Sequence, residues 1–350
     1  MAQVLKVVEP TPDSMPAAAL AFSVIIANYN YGGFLGRAIQ SALDLDWPIV
    51  EVIVVNDGST DQSAEVIWGF DGRIKTIFQA NAGQRVANNA GFADASGEII
   101  IFLDADDVLE PDLAREIAAV WRPGVSKVQV QMRRVDIDEV PFGDLLPPIA
   151  STPRPEQVRA WASADTEYPT PPGSGNAYSR DFLSLFFPIG PEHDSWTDST
   201  CLALAPHLGD VVTIPKPLVR YRLHGSYDSN LFATPGRFAR EIARAVTRQR
   251  SVELILASLD KPLPPADRLR RSRHLLQLRI ASLRMQPEAH PLPGDSRLTA
   301  LGDAIRSIFG SSFYPVRRRA IMAAWGIITL LAPGPVARRL VSMRFAAGRS

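Results

Sequence analysis

A single cysteine, Cys201, stands in 350 residues. An internal disulfide framework is therefore excluded, a reducing compartment is expected, and Cys201 itself reads as a small buried apolar residue. Phosphate-binding glycine motifs are also missing. The strand-like run from Phe22 to Ala27 leads into Asn28-Tyr29-Asn30-Tyr31-Gly32-Gly33 rather than Gly-x-Gly-x-x-Gly, and there is no Walker A sequence. A Rossmann-type dehydrogenase is thereby disfavoured, because its pyrophosphate would lack the glycine turn. Internal repeats are absent. Residues 1–21 contain Lys6, Glu9 and Asp13 with three prolines and no clean apolar stretch, so no signal peptide is expected and residues 1–20 read as a flexible arm. The most apolar segment, Ala320 to Ala332, is too short to span a bilayer comfortably, which needs about 20 residues. Pro333 and Pro335 block its extension.

Net charge is zero over the whole chain, yet residues 1–230 carry −14 and residues 231–350 carry +14. A split this large predicts two regions with different partners. Nearly all the basic residues of the second region are arginines.

Residues 21–230 alternate short branched runs with helical patterns. Phe22–Ala27, Val50–Val55, 74–78 and 98–103 read as buried strands, bounded by turn residues. Gly33–Leu43, Asp61–Phe70, Gln84–Ala95 and Pro111–Trp121 read as helices. Such alternation predicts an α/β fold: a Rossmann-like, mostly parallel sheet with helices on both faces. Prolines crowd residues 141–177, which read as long loops. Helices are expected over 179–187 and 197–208, with closing strands at 211–214 and 218–222. From about residue 235 the spacing of Phe238, Ile242, Ala245, Val246, Val252, Ile255, Leu256 and Leu259 predicts an all-helical region.

The residues that carry chemistry sit where the expected strands end, the edge at which open parallel sheets bind ligands. Asp104-Ala105-Asp106-Asp107 places three carboxylates in four residues. They repel one another, so a cation is the natural compensation, and Mg²⁺ or Mn²⁺ shared with substrate phosphates suits so few protein ligands. Asp107 and Glu110 before Pro111 equally suit an acidic loop that caps the next helix. Asp57 is positioned to accept from the N3–H of uracil or thymine, or else to close an Asx-turn with Gly58 and Ser59. Tyr29 is positioned to stack on, or pack beside, a base.

Taken together, these strings resemble glycosyltransferase family 2, of GT-A fold. The resemblance lies in Phe22–Asn30, Val54–Asp61, Asn81-Ala82-Gly83-Gln84, Asn89-Ala90-Gly91, Ala95–Glu98 and Phe102–Asp107, in matching order and spacing. A looser match follows in Ser174–Arg180, Trp196-Thr197-Asp198, Gly209 and Pro217–Gly225, and it fades after about residue 230. The resemblance implies a GT-A domain over 21–230, followed by an Arg-rich helical region over 231–350. It also implies that Ala27, Tyr29 and Asp57 line a nucleoside pocket, with Gln84, Ala105 and Asn176 as further substrate contacts. Asp104 and Asp106 would hold metal and diphosphate, His224 would reach the metal or bond backbone instead, and Asp198 would be the general base.

Two positions depart from the family pattern. Thr197 stands where a Glu usually precedes the base, so Asp194 competes with Asp198 for that role. Asn88 stands where an Arg is frequent, while an arginine sits nearby at Arg85. The implied reaction is inverting transfer from a nucleoside diphosphate sugar, UDP ahead of dTDP or GDP, to a glycan or glycolipid hydroxyl. Two alternatives stay open: a silent nucleotide-sugar-binding module docked at a membrane, and a sugar nucleotidyltransferase. The stretch 320–332, with Arg317-Arg318-Arg319 before it and Arg338-Arg339 after it, suggests an anionic membrane surface as partner; the competing reading is a core or dimer-packing helix. The location implied is cytoplasmic, peripheral on the inner membrane face. A homo-oligomer is compatible with this reading, and no nucleic acid is expected.

Overall fold

The computed structural model describes residues 20–149, 151–224, 236–309 and 312–346. The expected arm over 1–20 lies almost wholly outside them, as does Gly225. Eight strands form one sheet among the described residues. They are β1 (Phe22–Asn28), β2 (Val50–Asp57), β3 (Lys75–Gln79), β4 (Ile99–Asp104), β5 (Val108–Leu109), β6 (Val125–Val135), β7 (Asn176–Ser179) and β8 (Asp210–Arg222). Their spatial order is β3-β2-β1-β4-β7-β6-β8-β5. The half from β3 to β4 is parallel. Beyond β4 the sheet turns mixed: β7 is antiparallel to both β4 and β6, β6 runs parallel to β8, and β5 is antiparallel to β8.

Helices cover both faces. Over the parallel half these are α1 (Gly32–Leu43), α2 (Ser63–Trp68) and α3 (Gln84–Asp94), while α4 (Leu113–Val120) packs against β8. Packed on the later strands are α5 (Pro155–Asp165), α6 (Arg180–Ser184) and α7 (Thr197–Leu208). One core lies on each face. Val24, Ile26, Val52, Val54 and Ile101 point to the side of α1 and α4, whereas Ile25, Ile53, Val55 and Ile100 point to that of α3 and α7. The period-two alternation of each strand explains this division.

The rest is helical, as expected: α8 (Arg237–Ser258), α9 (Arg268–Arg271), α10 (Arg273–Met285), α11 (Arg297–Arg306), α12 (Val316–Leu331) and α13 (Gly334–Ala346). α8 packs on α7 through Val252, Ile255 and Leu256. α10 runs through the middle of this region and carries Arg279, which is fully buried. Its guanidinium donates to both oxygens of Asp295, at 2.7 Å each, and to Asp303 at 2.9 Å. α12 is two-faced. Ala323, Gly326, Thr329 and Leu330 are buried, so this stretch packs in the core along one side. Ile321, Ile328 and Leu331 are exposed on the other. Among the described residues no helix is long and apolar enough to cross a membrane.

Several sequence expectations need correction. The 11-residue β6 was not foreseen, because Lys127, Gln129 and Gln131 break its apolar pattern. α5 lies within the stretch read as loops. The two closing strands are one continuous β8. Pro111 is not the first helical residue, since α4 starts at Leu113.

Candidate active site

The parallel half of the sheet brings the ends of β1, β2 and β4 to one edge. In register, Ala27 lies between Val55 of β2 and Asp104 of β4. The first two tips are laced together by short polar side chains. Ser59 Oγ accepts from Asn28 Nδ2 at 3.1 Å and from the Asn30 amide at 3.0 Å. Asn30, with φ of 59°, accepts in turn from the Thr60 amide at 2.7 Å. The turn after β2 is closed by Asn56, whose Oδ1 accepts from the Ser59 amide at 3.0 Å. Asp57 is thus free of the Asx-turn role. It reaches across to the start of α3, accepting from Gln79 Nε2 at 2.7 Å and from the Ala82 and Gly83 amides at 2.9 and 2.8 Å. A carboxylate has about four acceptor positions, so one remains. Tyr29 stands exposed beside these tips.

At the end of β4 the carboxylates diverge in role. Asp107 is buried and accepts from the Arg222 amide at 3.0 Å. It therefore ties β4 to β8 and does not cap α4. The Arg222 side chain donates to the Asp106 carbonyl at 2.9 Å, and pairs with Glu139 at 2.9 Å. Glu139 also receives Arg37 and Arg220, and these guanidinium groups outweigh its burial and hold its carboxyl at about 2. Asp106 is buried, with Oδ2 at 3.0 Å from His224 Nε2. The His224 ring stacks on Phe34, with centroids 5.1 Å apart.

Asp104 faces the other way. Its Oδ1 accepts from Gln84 Nε2 at 3.1 Å, and its amide donates to Ser174 Oγ at 3.1 Å. Ser174 belongs to a 3₁₀ turn, Gly173–Gly175, whose form is set by Asn176. Asn176 Nδ2 donates to the carbonyls of Pro172 and Gly173 at 2.8 and 3.0 Å, and its Oδ1 accepts from Lys127 Nζ at 2.9 Å. Asn176 therefore shapes the turn from beneath and is not in the wall of either cavity described below, where direct substrate contact was the expectation.

The turn brings Gly173 between two carboxylates. A Cβ there would stand 3.5 Å from Asp104 Oδ2 and 3.8 Å from Asp198 Oδ2. A cavity of about 170 Å³ opens at this point, lined by Gln84, Asn88, Asp104, Gly173, Trp196 and Asp198 among others. Burial, then Asp106, then Asp198 push the Asp104 carboxyl up to about 7. Burial also raises Asp198, with Asp194 adding to the effect; the Ser199 amide, Arg244 and Arg248 oppose it. Asp194 is not in the wall of this cavity, and its carboxylate accepts from the Trp196 amide at 3.3 Å and faces Arg244 at 3.6 Å. Asp198 is thus the better placed of the two.

Asn88 donates to Thr197 Oγ1 at 3.0 Å, fastening α3 to the start of α7. Arg85 is turned away to the Ile189 carbonyl, at 3.0 Å. Asn88 lines the small cavity, whereas Arg85 does not.

Among the described residues, no group of three His, Cys, Asp or Glu side chains is arranged to hold a metal ion. Asp104, Asp106 and His224 accordingly do not form a protein-only cage; His224 is the hydrogen-bond partner of Asp106. Mg²⁺-like ions take one or two carboxylates and leave their other positions to water and phosphate. Asp104 and Asp106 fit that demand, because their mutual repulsion is uncompensated by any basic residue at Asp104.

Gly173 and Lys127 were not expected as parts of this site, and Ser174 and Arg222 were expected only as members of matching strings, without a role of their own. Only the Gly-Ser-Gly-Asn string after the prolines signalled the turn. Nothing in the sequence marked Lys127, which is buried with Gln129, Thr170 and Asn176 as its acceptors.

The sequence model described as "Glycosyl transferase family 2" matches residues 23–186. An uncharacterised glycosyltransferase of Nostoc sp. is 40% identical over 216 residues, 59% of this chain and 66% of that one. An uncharacterised glycosyltransferase of Escherichia coli, YibD, is 38% identical over 94 residues, 26% of this chain and 27% of that one. The chain thus spans just under two thirds of the first relative and about a quarter of the second. Among solved structures, S. aureus TarS 1-349 shares the fold with a TM-score of 0.53 at 15% identity, over 91% of this chain and 92% of that one. The same protein is known in complex with UDP-GlcNAc, with a TM-score of 0.52 at 16% identity, over 91% and 92% of the two chains. Residues 23–186, which carry Asp57, Asp104 and Asp106, thus match the family 2 glycosyltransferases.

Proposed function

We propose that the chain is an inverting glycosyltransferase that moves a sugar from a nucleoside diphosphate sugar to a hydroxyl of a glycan or glycolipid. The observation that carries this reading is the meeting of Asp104 and Asp198 at Gly173, in one small cavity beside the first turn of α3. Asp57 keeps one acceptor position for a base N3–H, which favours a uracil or thymine nucleotide and, of these, UDP. A bound Mg²⁺ or Mn²⁺, held by Asp104 and Asp106, supplies the positive charge that a departing diphosphate needs.

Asp198 accepts the proton of the acceptor hydroxyl. Burial raises its basicity, which suits a general base. The acceptor oxygen bonds to the anomeric carbon as the bond from that carbon to the diphosphate breaks, and the electron pair leaves with the diphosphate. One carboxylate serves as base and no second one acts as nucleophile, so the configuration inverts. Gln84 steadies the Asp104 carboxylate, while the Arg222–Glu139 pair and the Arg222–Asp106 contact hold the end of β4 in place.

A release assay on the full chain tests the reading. Incubation with nucleotide sugars, Mn²⁺ and glycan acceptors should liberate nucleoside diphosphate. Pyrophosphate would indicate a nucleotidyltransferase instead, and no product from any donor would indicate a silent binding module.

The exposed side of α12 supports a peripheral position on an anionic membrane. Ile321, Ile328 and Leu331 present apolar surface, and Arg317, Arg338 and Arg339 are exposed near its two ends. Such a face rests in the headgroup layer without spanning it. Co-sedimentation with phosphatidylglycerol vesicles, and its loss in I321D/I328D, measures this.

A further inference from the structure

A second cavity, of about 1410 Å³, lies between α5, α7 and the C-terminal helices α8 and α10. Asp198, Trp196 and Pro172 belong to its wall as well as to that of the small cavity. Its volume exceeds the 300–1,000 Å³ or so of an ordinary small-molecule pocket, so it has room for several sugar rings. Aromatic side chains supply the flat apolar surfaces on which such rings rest. Trp161 and Phe313 meet at 6.1 Å, and Phe313 and Tyr314 at 4.0 Å.

The wall of this chamber carries four arginines and four carboxylates, but two of the arginines, Arg248 and Arg318, make no ion pair among the described residues. The Arg248 guanidinium makes no hydrogen bond or ion pair among the described residues, although it bears on Asp198, Glu167 and His274. Arg318 lies over the Tyr314 ring at 4.7 Å and faces no carboxylate at ion-pair distance. Arg244 is divided between Asp194 at 3.6 Å and Glu241 at 3.5 Å, and its buried Nε has no partner. The remaining wall carboxylates do little to offset this. Glu167 is occupied by Ser272 and by the His274 amide, and Asp144 is exposed at the margin. The crowding registers on neighbours: burial and then Arg318 lower Arg344, while burial, Arg248 and Arg344 lower His274.

We propose that this chamber receives an oligosaccharide bearing an anionic group, a carboxylate or a phosphate ester, which Arg248 and Arg318 hold while a hydroxyl of the same molecule reaches Asp198. The last clause rests on Asp198 as general base; the anionic glycan site itself does not. Guanidinium groups suit this task because their planar donors match both anions.

Intrinsic tryptophan fluorescence of the full chain reports occupancy, since Trp161 and Trp196 line the wall. The probes are a hexauronate, its fully methyl-esterified form and a phosphorylated pentamannose. One or both charged probes should bind at least about tenfold more tightly than the ester. R248Q and R318Q should each weaken the charged probes about tenfold and leave the ester unchanged, as expected for one charged hydrogen bond. R248K should recover part of the loss. Thermal midpoints identify any variant that fails to fold; R318Q, on an exposed residue, still decides if R248Q does. Equal affinity for ester and acid, or no discrimination lost in the variants, overturns the proposal. Phosphatidylglycerol vesicle binding that needs Arg248 would assign the anion to lipid and overturn it as well. UDP-sugar titration with Mn²⁺ separates the two readings. Donor binding without anionic glycan binding refutes the chamber alone, and the reverse refutes glycosyl transfer alone.

Discussion

The carboxylates of Asp104 and Asp198 converge on the space that a Cβ at Gly173 would fill, although 94 positions separate them in the chain. One comes from the end of a parallel strand and the other from the first turn of a helix. The glycine between them belongs to neither element.

Gly173→Ala tests that convergence. The added methyl would sit in ordinary contact with both carboxylates, at 3.5 and 3.8 Å, so folding should survive with a stability change below about 1 kcal/mol. It would nonetheless occupy the space between them. Turnover should fall about 10- to 100-fold, the size of effect expected when reacting groups are held slightly apart. Thermal melts beside steady-state kinetics give the answer, and unchanged turnover would show that the reaction happens elsewhere.

Asp198→Asn should remove the base and keep the shape. A general base contributes about 10²–10⁴-fold, so turnover should drop by that amount while calorimetric donor affinity stays within about twofold. The matching Asp194→Asn variant separates the competing residue: a larger loss there would transfer the role.

Asp106→Ala should abolish the dependence of donor binding on Mn²⁺. Titration of UDP-sugar with and without the ion reads this directly, and an intact difference in the variant removes Asp106 from the diphosphate site. Structural damage is a separate outcome, because the lost contact to His224 would appear in the melting temperature.

Acid stability follows from Arg279 and Asp295. Burial alone would raise the Asp295 carboxyl, but Arg279, Thr299 and His290 outweigh it and hold it at about 2. An unfolded aspartate titrates near 3.9. Because the folded value is depressed, the stability is fully present above about pH 4. It is lost as pH falls toward about 2, and amounts to about 2 kcal/mol. Denaturant melts between pH 6 and 2 should show the decline. Asp295→Asn should cost about 3 kcal/mol at neutral pH, since it strips a partner from a buried guanidinium, and should flatten that acid limb.

Legibility in the sequence differed between the two halves of the sheet. β1, β2 and β4 are continuous branched runs, and each ends on the residues that matter: Asn28, Asp57 and Asp104. Local composition alone exposes them. β6 was hidden because Lys127, Gln129 and Gln131 look like surface, and only tertiary partners such as Thr170, Thr213 and Pro147 make their burial tolerable. α5 was hidden by the prolines around it, one of which, Pro155, begins the helix. Asn176 was found through its string, yet its task of bending the Gly173 turn depends on carbonyls that no spacing rule reveals. The large chamber had no sequence signature, since its wall is assembled from segments between residues 131 and 318.

Asp198 stands in the wall common to both cavities, and this has a chemical cost when the larger one is empty. Under the proposed reading, in which Asp198 is the general base, water entering by that route would meet that base and the activated sugar together. Hydrolysis of the donor is then the competing loss, and a well-seated acceptor protects the donor by displacing the solvent as well as by supplying the nucleophile.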